Sequence, residues 1–255
     1  MTIFADLRGK CALVTGGAAG IGLATVEALA GFGAAVAMND LPGSAAMETQ
    51  VQRLRGLGFN VVAAPGDVGN PVDATRMVVQ AAEALGGLDY LVNNAATPGT
   101  RTTIAGSDLK AQDEAFWGKL LSVNLIGPFR CVRAALPYLQ RRGGAIVNVA
   151  STAAYGGGAS STTYASTKAA LVMMTRELAK GLGPDIRVNG IAPGWVGGSS
   201  WECGWEDSDA RAAEAKLPLR RIGMPADYAE VIVYLCAGAG YMTGQTMIVD
   251  GGMMA

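Results

Sequence analysis

Residues 11–22 read CALVTGGAAGIG, and the next eight, LATVEALA, are helix formers. A short apolar run broken by glycines at 16, 20 and 22 and followed at once by a helical pattern predicts a strand, a tight turn and a helix. Glycine lets the backbone turn sharply and come close to a ligand. The helix start adds unpaired N–H groups and the positive end of the helix dipole, so this turn is built to hold an anion such as a pyrophosphate.

The same alternation continues outward. Apolar runs at 34–38, 60–64, 89–93, 145–150, 186–192 and 246–250 read as further strands, giving about seven in all. Segments of helical length lie between them, among them Gly20 to Gly31, Ser44 to Leu57, Pro71 to Leu85 and Tyr164 to Gly181. Apolar strands separated by helices describe a parallel sheet covered on both faces, a Rossmann-like doubly wound α/β fold. No repeat or linker divides the chain, so residues 1–255 are expected to form one domain. The segment 194–216, with Trp195, Trp201, Trp205, adjacent glycines and mixed charges, reads as a long functional loop, a lid that orders over ligand.

Composition narrows the function. A net charge of −1 and a pI near 5.6 provide no basic field for nucleic acid or an anionic membrane. The apolar stretch 231–249 is interrupted by Gly238, Gly240, Gly244 and Gln245 and reads as helix, turn and strand, not as a membrane span. Four scattered cysteines without CxxC spacing fit buried thiols in a reducing cytoplasm, and no signal peptide is expected at the N-terminus. The chain has no histidine. That removes Ser-His-Asp hydrolases and HExxH zinc sites, so no metal is expected and acid/base work falls to Tyr, Lys, Asp, Glu or Cys.

Tyr164 stands four residues before Lys168 in SSTTYASTKAAL (160–171), which places both on one helix face. A cation beside a phenol is expected to lower its pKa, as a proton carrier near neutral pH requires. Ser151 follows the fifth strand, at the sheet edge where open α/β folds bind ligands. Asp40 ends the second strand 18 residues after Gly22, where a carboxylate would accept from ribose hydroxyls. No Lys or Arg occurs from Cys11 through Gln52, so a 2′-phosphate would find no local counter-ion and NAD is expected over NADP.

These residues, with TGGAAGIG (15–22), NNAA (93–96), Asn124 in SVNLIGPF, APG (192–194) and GQTMIVDGG (244–252), make the whole chain resemble the short-chain dehydrogenase/reductase family. The resemblance implies an NAD(H)-dependent oxidoreductase that interconverts a small secondary alcohol and a ketone. It implies a catalytic tetrad: Tyr164 as general acid/base, Lys168 stabilising its phenolate and holding the nicotinamide ribose, Ser151 holding the substrate oxygen, and Asn124 holding a relay water. It implies cofactor contacts from Gly16, Gly20, Ile21, Gly22 and Asp40, from Asp67 and Val68 at the adenine, and from Asn93, Asn94 and Ala95 at the adenosine ribose. Pro193 and Gly194 would continue the set, with Val196 at the carboxamide. A homotetramer is implied as well. The chain departs from the pattern at Ala96, where glycine is usual, at Gly198, where threonine is frequent, and at Ala19, where NADP users often carry a base. The alternative is a catalytically idle NAD-binding regulator, which would need none of the tetrad.

Overall fold

The computed structural model describes residues 5–198 and 207–255. Seven parallel strands form one sheet: β1 Cys11–Val14, β2 Ala35–Asp40, β3 Val61–Pro65, β4 Tyr90–Asn93, β5 Ala145–Val149, β6 Arg187–Pro193 and β7 Thr246–Val249. Their order is β3-β2-β1-β4-β5-β6-β7. The chain therefore winds outward from β1 in one direction and from β4 in the other, which opens a crevice above the carboxyl ends of β1 and β4.

Alternation along each strand explains both layers of helices. In β1, Ala12 and Val14 face one core with Val26, Leu29 and Ile232, whereas Leu13 faces the other with Met77, Ala135 and Leu139. The same split recurs in β5, where Val147 and Ile146 take opposite sides. One layer holds α1 Gly20–Gly31, α2 Ala45–Gly56 and α8 Pro225–Val233; the other holds α3 Pro71–Leu85, α5 Gly127–Arg142 and α6 Thr162–Leu182. Each fully buried Leu or Val contributes about 1.5–3 kcal/mol by leaving water, and strands buried on both faces need such residues at nearly every position.

Local chemistry sets the helix ends. Asn70 caps α3 by accepting from the N–H groups of Val72 and Asp73, Pro71 occupies the first helical position, and Gly86 ends the helix at φ 73°. Ser161 caps α6 by accepting from Tyr164 N, so the cap sits three residues from the phenol and fixes where that side chain emerges. Helix α4 Glu114–Leu121 runs through a π-helical turn, Ser122–Ile126, into α5. That turn carries Asn124.

The expected strands and helices are all present, with ends moved by a residue or two. The segment expected as one long loop contains a helix, α7 Asp207–Lys216. Trp201, Trp205 and the serines 199 and 200 lie outside the described residues, as does the middle of the expected lid, 199–206.

Candidate active site

A cleft of about 950 Å³ opens over the carboxyl ends of the strands. Its floor is the turn after β1, where Gly16, Ala19, Gly20 and Ile21 line it. The turn is held from three sides. Thr15 Oγ1 accepts from the N–H groups of Asn94 and Ala95, and Asn94 Nδ2 donates to the carbonyls of Thr15 and Gly16 at 3.0 and 2.9 Å. Asn39, buried at the end of β2, accepts from Gly16 N and donates to the carbonyls of Ala64 and Gly66. Gly22 is not part of the lining. A Cβ there would stand 2.0 Å from the Gly16 carbonyl oxygen, so Gly22 lets α1 close on the turn.

Helix α1 starts without a capping side chain, because its N-cap is Ala19, and without an acidic residue in its first turn. Among the described residues no side chain caps its first N–H groups at the point where the cleft passes. A neutral, uncapped helix start beside a glycine turn has the chemistry that a pyrophosphate needs.

Asp40, Asp67, Val68, Asn94, Ala95 and Pro193 all line the cleft, with Gly194 and Val196. Asp40 accepts from Leu41 N and from Ser44 Oγ, both at 2.8 Å. Asp67 accepts from Gly69 N at 2.7 Å. Asn93 lies behind this wall: it is 2% exposed and donates to Asn148 Oδ1, so only its neighbours reach the cleft. Ala96 lines the cleft without a positive φ, so the missing glycine leaves no strained backbone there.

Ser151, Tyr164 and Lys168 meet at the other end of the cleft. Ser151 follows β5 and caps a short 3-10 turn, Thr152–Tyr155, through Ala153 N. Its side chain is also hydrogen-bonded to Tyr164. Lys168 is 2% exposed and donates to Val149 O at 2.8 Å. Burial pushes the Tyr164 phenol well above its ordinary value, against a smaller downward pull from Ser151. Burial also pushes the Lys168 amine down to about 7. In the protein alone, burial therefore dominates the phenol, and the downward pull on it comes from Ser151 where Lys168 was expected to supply it.

Asn124 is fully buried behind this group. Its Oδ1 accepts from Thr97 N at 2.8 Å and its Nδ2 donates to Thr97 O at 2.9 Å and to Thr167 Oγ1 at 3.4 Å. The π-helical turn, with one extra residue per turn, turns this amide away from solvent and onto the irregular segment that follows β4.

Trp195 also lines the cleft, while its carbonyl accepts from Tyr228 Oη at 2.7 Å and its side chain packs against the cluster of Ala213, Leu217 and Ile222. Thr15, Asn39 and Ser44 were not singled out from the sequence. Each acts through a partner distant in the chain or through a hydroxyl proton, and ordinary turn residues give no periodic signal.

The family model described as Enoyl-(Acyl carrier protein) reductase matches residues 16–254. Human dehydrogenase/reductase SDR family member 4 is 35% identical over 256 residues, covering 99% of this chain and 90% of its own. The (2S)-[(R)-hydroxy(phenyl)methyl]succinyl-CoA dehydrogenase subunit BbsD of Thauera aromatica is 36% identical over 249 residues, covering 96% of this chain and 97% of its own. A blue fluorescent protein from a metagenomic library, solved in complex with NADPH, is 33% identical with a TM-score of 0.88, covering 98% of this chain and 100% of its own.

Proposed function

The chain belongs to the short-chain dehydrogenase/reductase family of oxidoreductases, and from that premise we propose that it is an NAD(H)-dependent enzyme interconverting a secondary alcohol and a ketone, with Tyr164 as general acid/base. The observation that carries this reading is the convergence of Ser151, Tyr164 and Lys168 at one end of a cleft whose other end is the uncapped start of α1 and Asp40.

The residues fit a nicotinamide dinucleotide. The turn at Gly16, Gly20 and Ile21 would hold its pyrophosphate, the Asp40 carboxylate a ribose, and Asp67 and Val68 the adenine. Asn94 and Ala95 would pass along the adenosine ribose, and Pro193, Gly194 and Val196 would face the nicotinamide. When bound, the cofactor gives or takes the hydride.

The protein moves the proton. In ketone reduction Tyr164 donates its phenolic proton to the carbonyl oxygen; in alcohol oxidation the phenolate takes the proton from the hydroxyl. Ser151, already hydrogen-bonded to Tyr164, shares that substrate oxygen and orients it. Lys168, tethered to Val149 O through one donor, keeps donors that would serve the ribose and the phenolate. Asn124, fixed by Thr97, holds the relay water behind them.

The choice of NAD over NADP rests on Asp40 and on the absence of Lys and Arg from Cys11 through Gln52. The relative that was solved with NADPH makes this choice the first to test. A homotetramer is supported by Ile248 at the open sheet edge (45% exposed) and by Phe129 and Met173 on the outer faces of α5 and α6. The continuous sheet supports one domain. Cys11, Cys131 and Cys236 are free and buried, which supports a cytoplasmic location. No helix among the described residues is long and apolar enough to cross a membrane.

The test is a panel of secondary alcohols with NAD and of ketones with NADH, followed at the nicotinamide absorbance band. Turnover with Tyr164 intact supports the enzyme. Tight NAD binding without turnover across the panel would favour the idle regulator.

A further inference from the structure

Asp40 is followed by Leu-Pro-Gly-Ser, and these four residues close a turn: Ser44 N donates to Leu41 O at 3.1 Å, Pro42 stands second, and Gly43 stands third with φ 77°. Pro then Gly at these places is the composition of a type II turn, whose third position needs positive φ. The turn brings Ser44 back over the carboxylate it started from. Ser44 Oγ donates to Asp40 Oδ2 at 2.8 Å and at the same time accepts from Met47 N at 3.2 Å, capping α2. The other carboxylate oxygen, Oδ1, accepts from Leu41 N at 2.8 Å.

We infer that Ser44 is a positioning residue for cofactor choice: its hydroxyl, oriented by the α2 cap, pins the Asp40 carboxylate in the one rotamer that faces the cleft. The reading rests on Asp40 facing the cofactor ribose, as proposed above. Each part of the ring constrains the next. The Met47 N–H engages the serine oxygen and so directs its proton towards Asp40. With both oxygens held, the carboxylate keeps only its outward lone pairs, and these point to the cleft that Asp40 lines. To make room for a 2′-phosphate, Asp40 would have to break both hydrogen bonds. A mobile carboxylate could turn aside and discriminate less. Ser44 thus widens the margin of NAD over NADP, by strengthening recognition of NAD, without touching either.

The test measures Kd for NAD and for NADP by titration calorimetry, with Tm, on wild type, Ser44→Ala, Ser44→Thr and Asp40→Ala, and on the double variant Asp40→Ala/Ser44→Ala. Ser44→Ala should weaken NAD by about 3- to 10-fold, the range of one charge-assisted hydrogen bond partly replaced by water, while NADP stays within about two-fold. Ser44→Thr should restore the wild-type ratio. In the Asp40→Ala background the second substitution should leave the ratio unchanged. Equal weakening of both cofactors by Ser44→Ala would reduce the residue to a helix cap and overturn the inference; so would an unchanged ratio in a folded variant. Should Ser44→Ala not fold, Ser44→Gly removes the same hydroxyl and is the milder change at an N-cap. The underlying reading fails separately, if Asp40→Ala itself leaves the NAD to NADP ratio untouched.

Discussion

Lys168 lies one helical turn beyond Tyr164, with its Nζ 5.7 Å from the centre of the phenol ring, yet its hydrogen bond goes to the carbonyl of Val149. Ser151 is a hydrogen-bond partner of the Tyr164 hydroxyl. Burial favours the neutral form of each group, so the protein by itself presents a protonated phenol beside an amine held near neutrality. That is the state from which a ketone oxygen can be protonated.

Tyr164→Phe should therefore abolish turnover while leaving cofactor affinity within a few-fold, because only the ionisable oxygen is lost. General acid–base catalysis contributes typically about 10²–10⁴-fold, and the orientation shared with Ser151 goes with it. Steady-state kinetics beside a binding titration checks this. Residual turnover above about a tenth of wild type would remove Tyr164 from the chemistry.

The lowered Lys168 predicts how stability depends on pH. Its folded value, about 7, lies below the 10.5 of an exposed lysine. Below about pH 7 both folded and unfolded chains carry the proton, and the full cost of the buried charge is present. Between 7 and 10.5 the unfolded chain binds more protons, so stability rises with pH, by at most ~1.4 kcal/mol per unit for one group. Urea unfolding of the cofactor-free protein at pH 7, 8 and 9 should show a steeper rise for wild type than for Lys168→Met. The buried thiols, which act in the opposite direction, cancel in that difference. Equal slopes would mean that Lys168 is charged throughout.

How far this site could be read in advance depends on whether its signal is local. The β1 turn was legible because glycine spacing next to a helical pattern is a backbone requirement written in consecutive residues. Asp40 was legible for the same reason, one strand further on. The direction of the Tyr164 shift was not, since it depends on burial in a cluster with Leu120 and Ala153, which only folding brings together. Asn124 was expected in a site, but its burial follows from a π-helical turn that propensity does not announce. The role of Asn39 needs partners at 64 and 66, and the clamp at Ser44 needs a proton direction. Neither leaves a pattern in the chain.

Asp89 shows the same limit at the opposite end of the sheet. Read as the first residue of a strand, it instead precedes β4. Its carboxylate, nearly inaccessible, accepts from Cys11 N at 2.9 Å, Arg142 Nη1 at 2.9 Å and Lys10 Nζ at 3.1 Å. It ties the start of β1 to the end of α5. Asp89→Ala should cost about 2 kcal/mol, since hydrogen bonds to a buried charge contribute ~1.5–3 kcal/mol, and the partly exposed Lys10 and Arg142 can recover water. Urea denaturation reads the loss; cofactor affinity should not move, because no member of the cluster lines the cleft. A change below about 0.5 kcal/mol would show the clasp to be energetically idle.

The strongest consequence of the cleft is its expected preference for NAD. A 2′-phosphate brings up to two negative charges to a site whose nearest fixed group is the Asp40 carboxylate. The first basic side chain after β1 is Arg53, and it is engaged with Glu27 and Gln50. Repulsion and lost ribose hydrogen bonds together should amount to about 3 kcal/mol, roughly two orders of magnitude in kcat/KM, after allowing for salt. Asp40→Ala should narrow the gap chiefly by weakening NAD. Pairing Asp40→Ser with Leu41→Arg should also strengthen NADP, because Leu41 is exposed on the cleft rim and a guanidinium there would supply the missing counter-ion. Kinetics with both cofactors on one accepted substrate decides the matter. Equal efficiency with NADP in the unmodified protein would mean that the ribose does not meet Asp40 at all, and the cofactor would then have to lie along the Asn94 side of the turn.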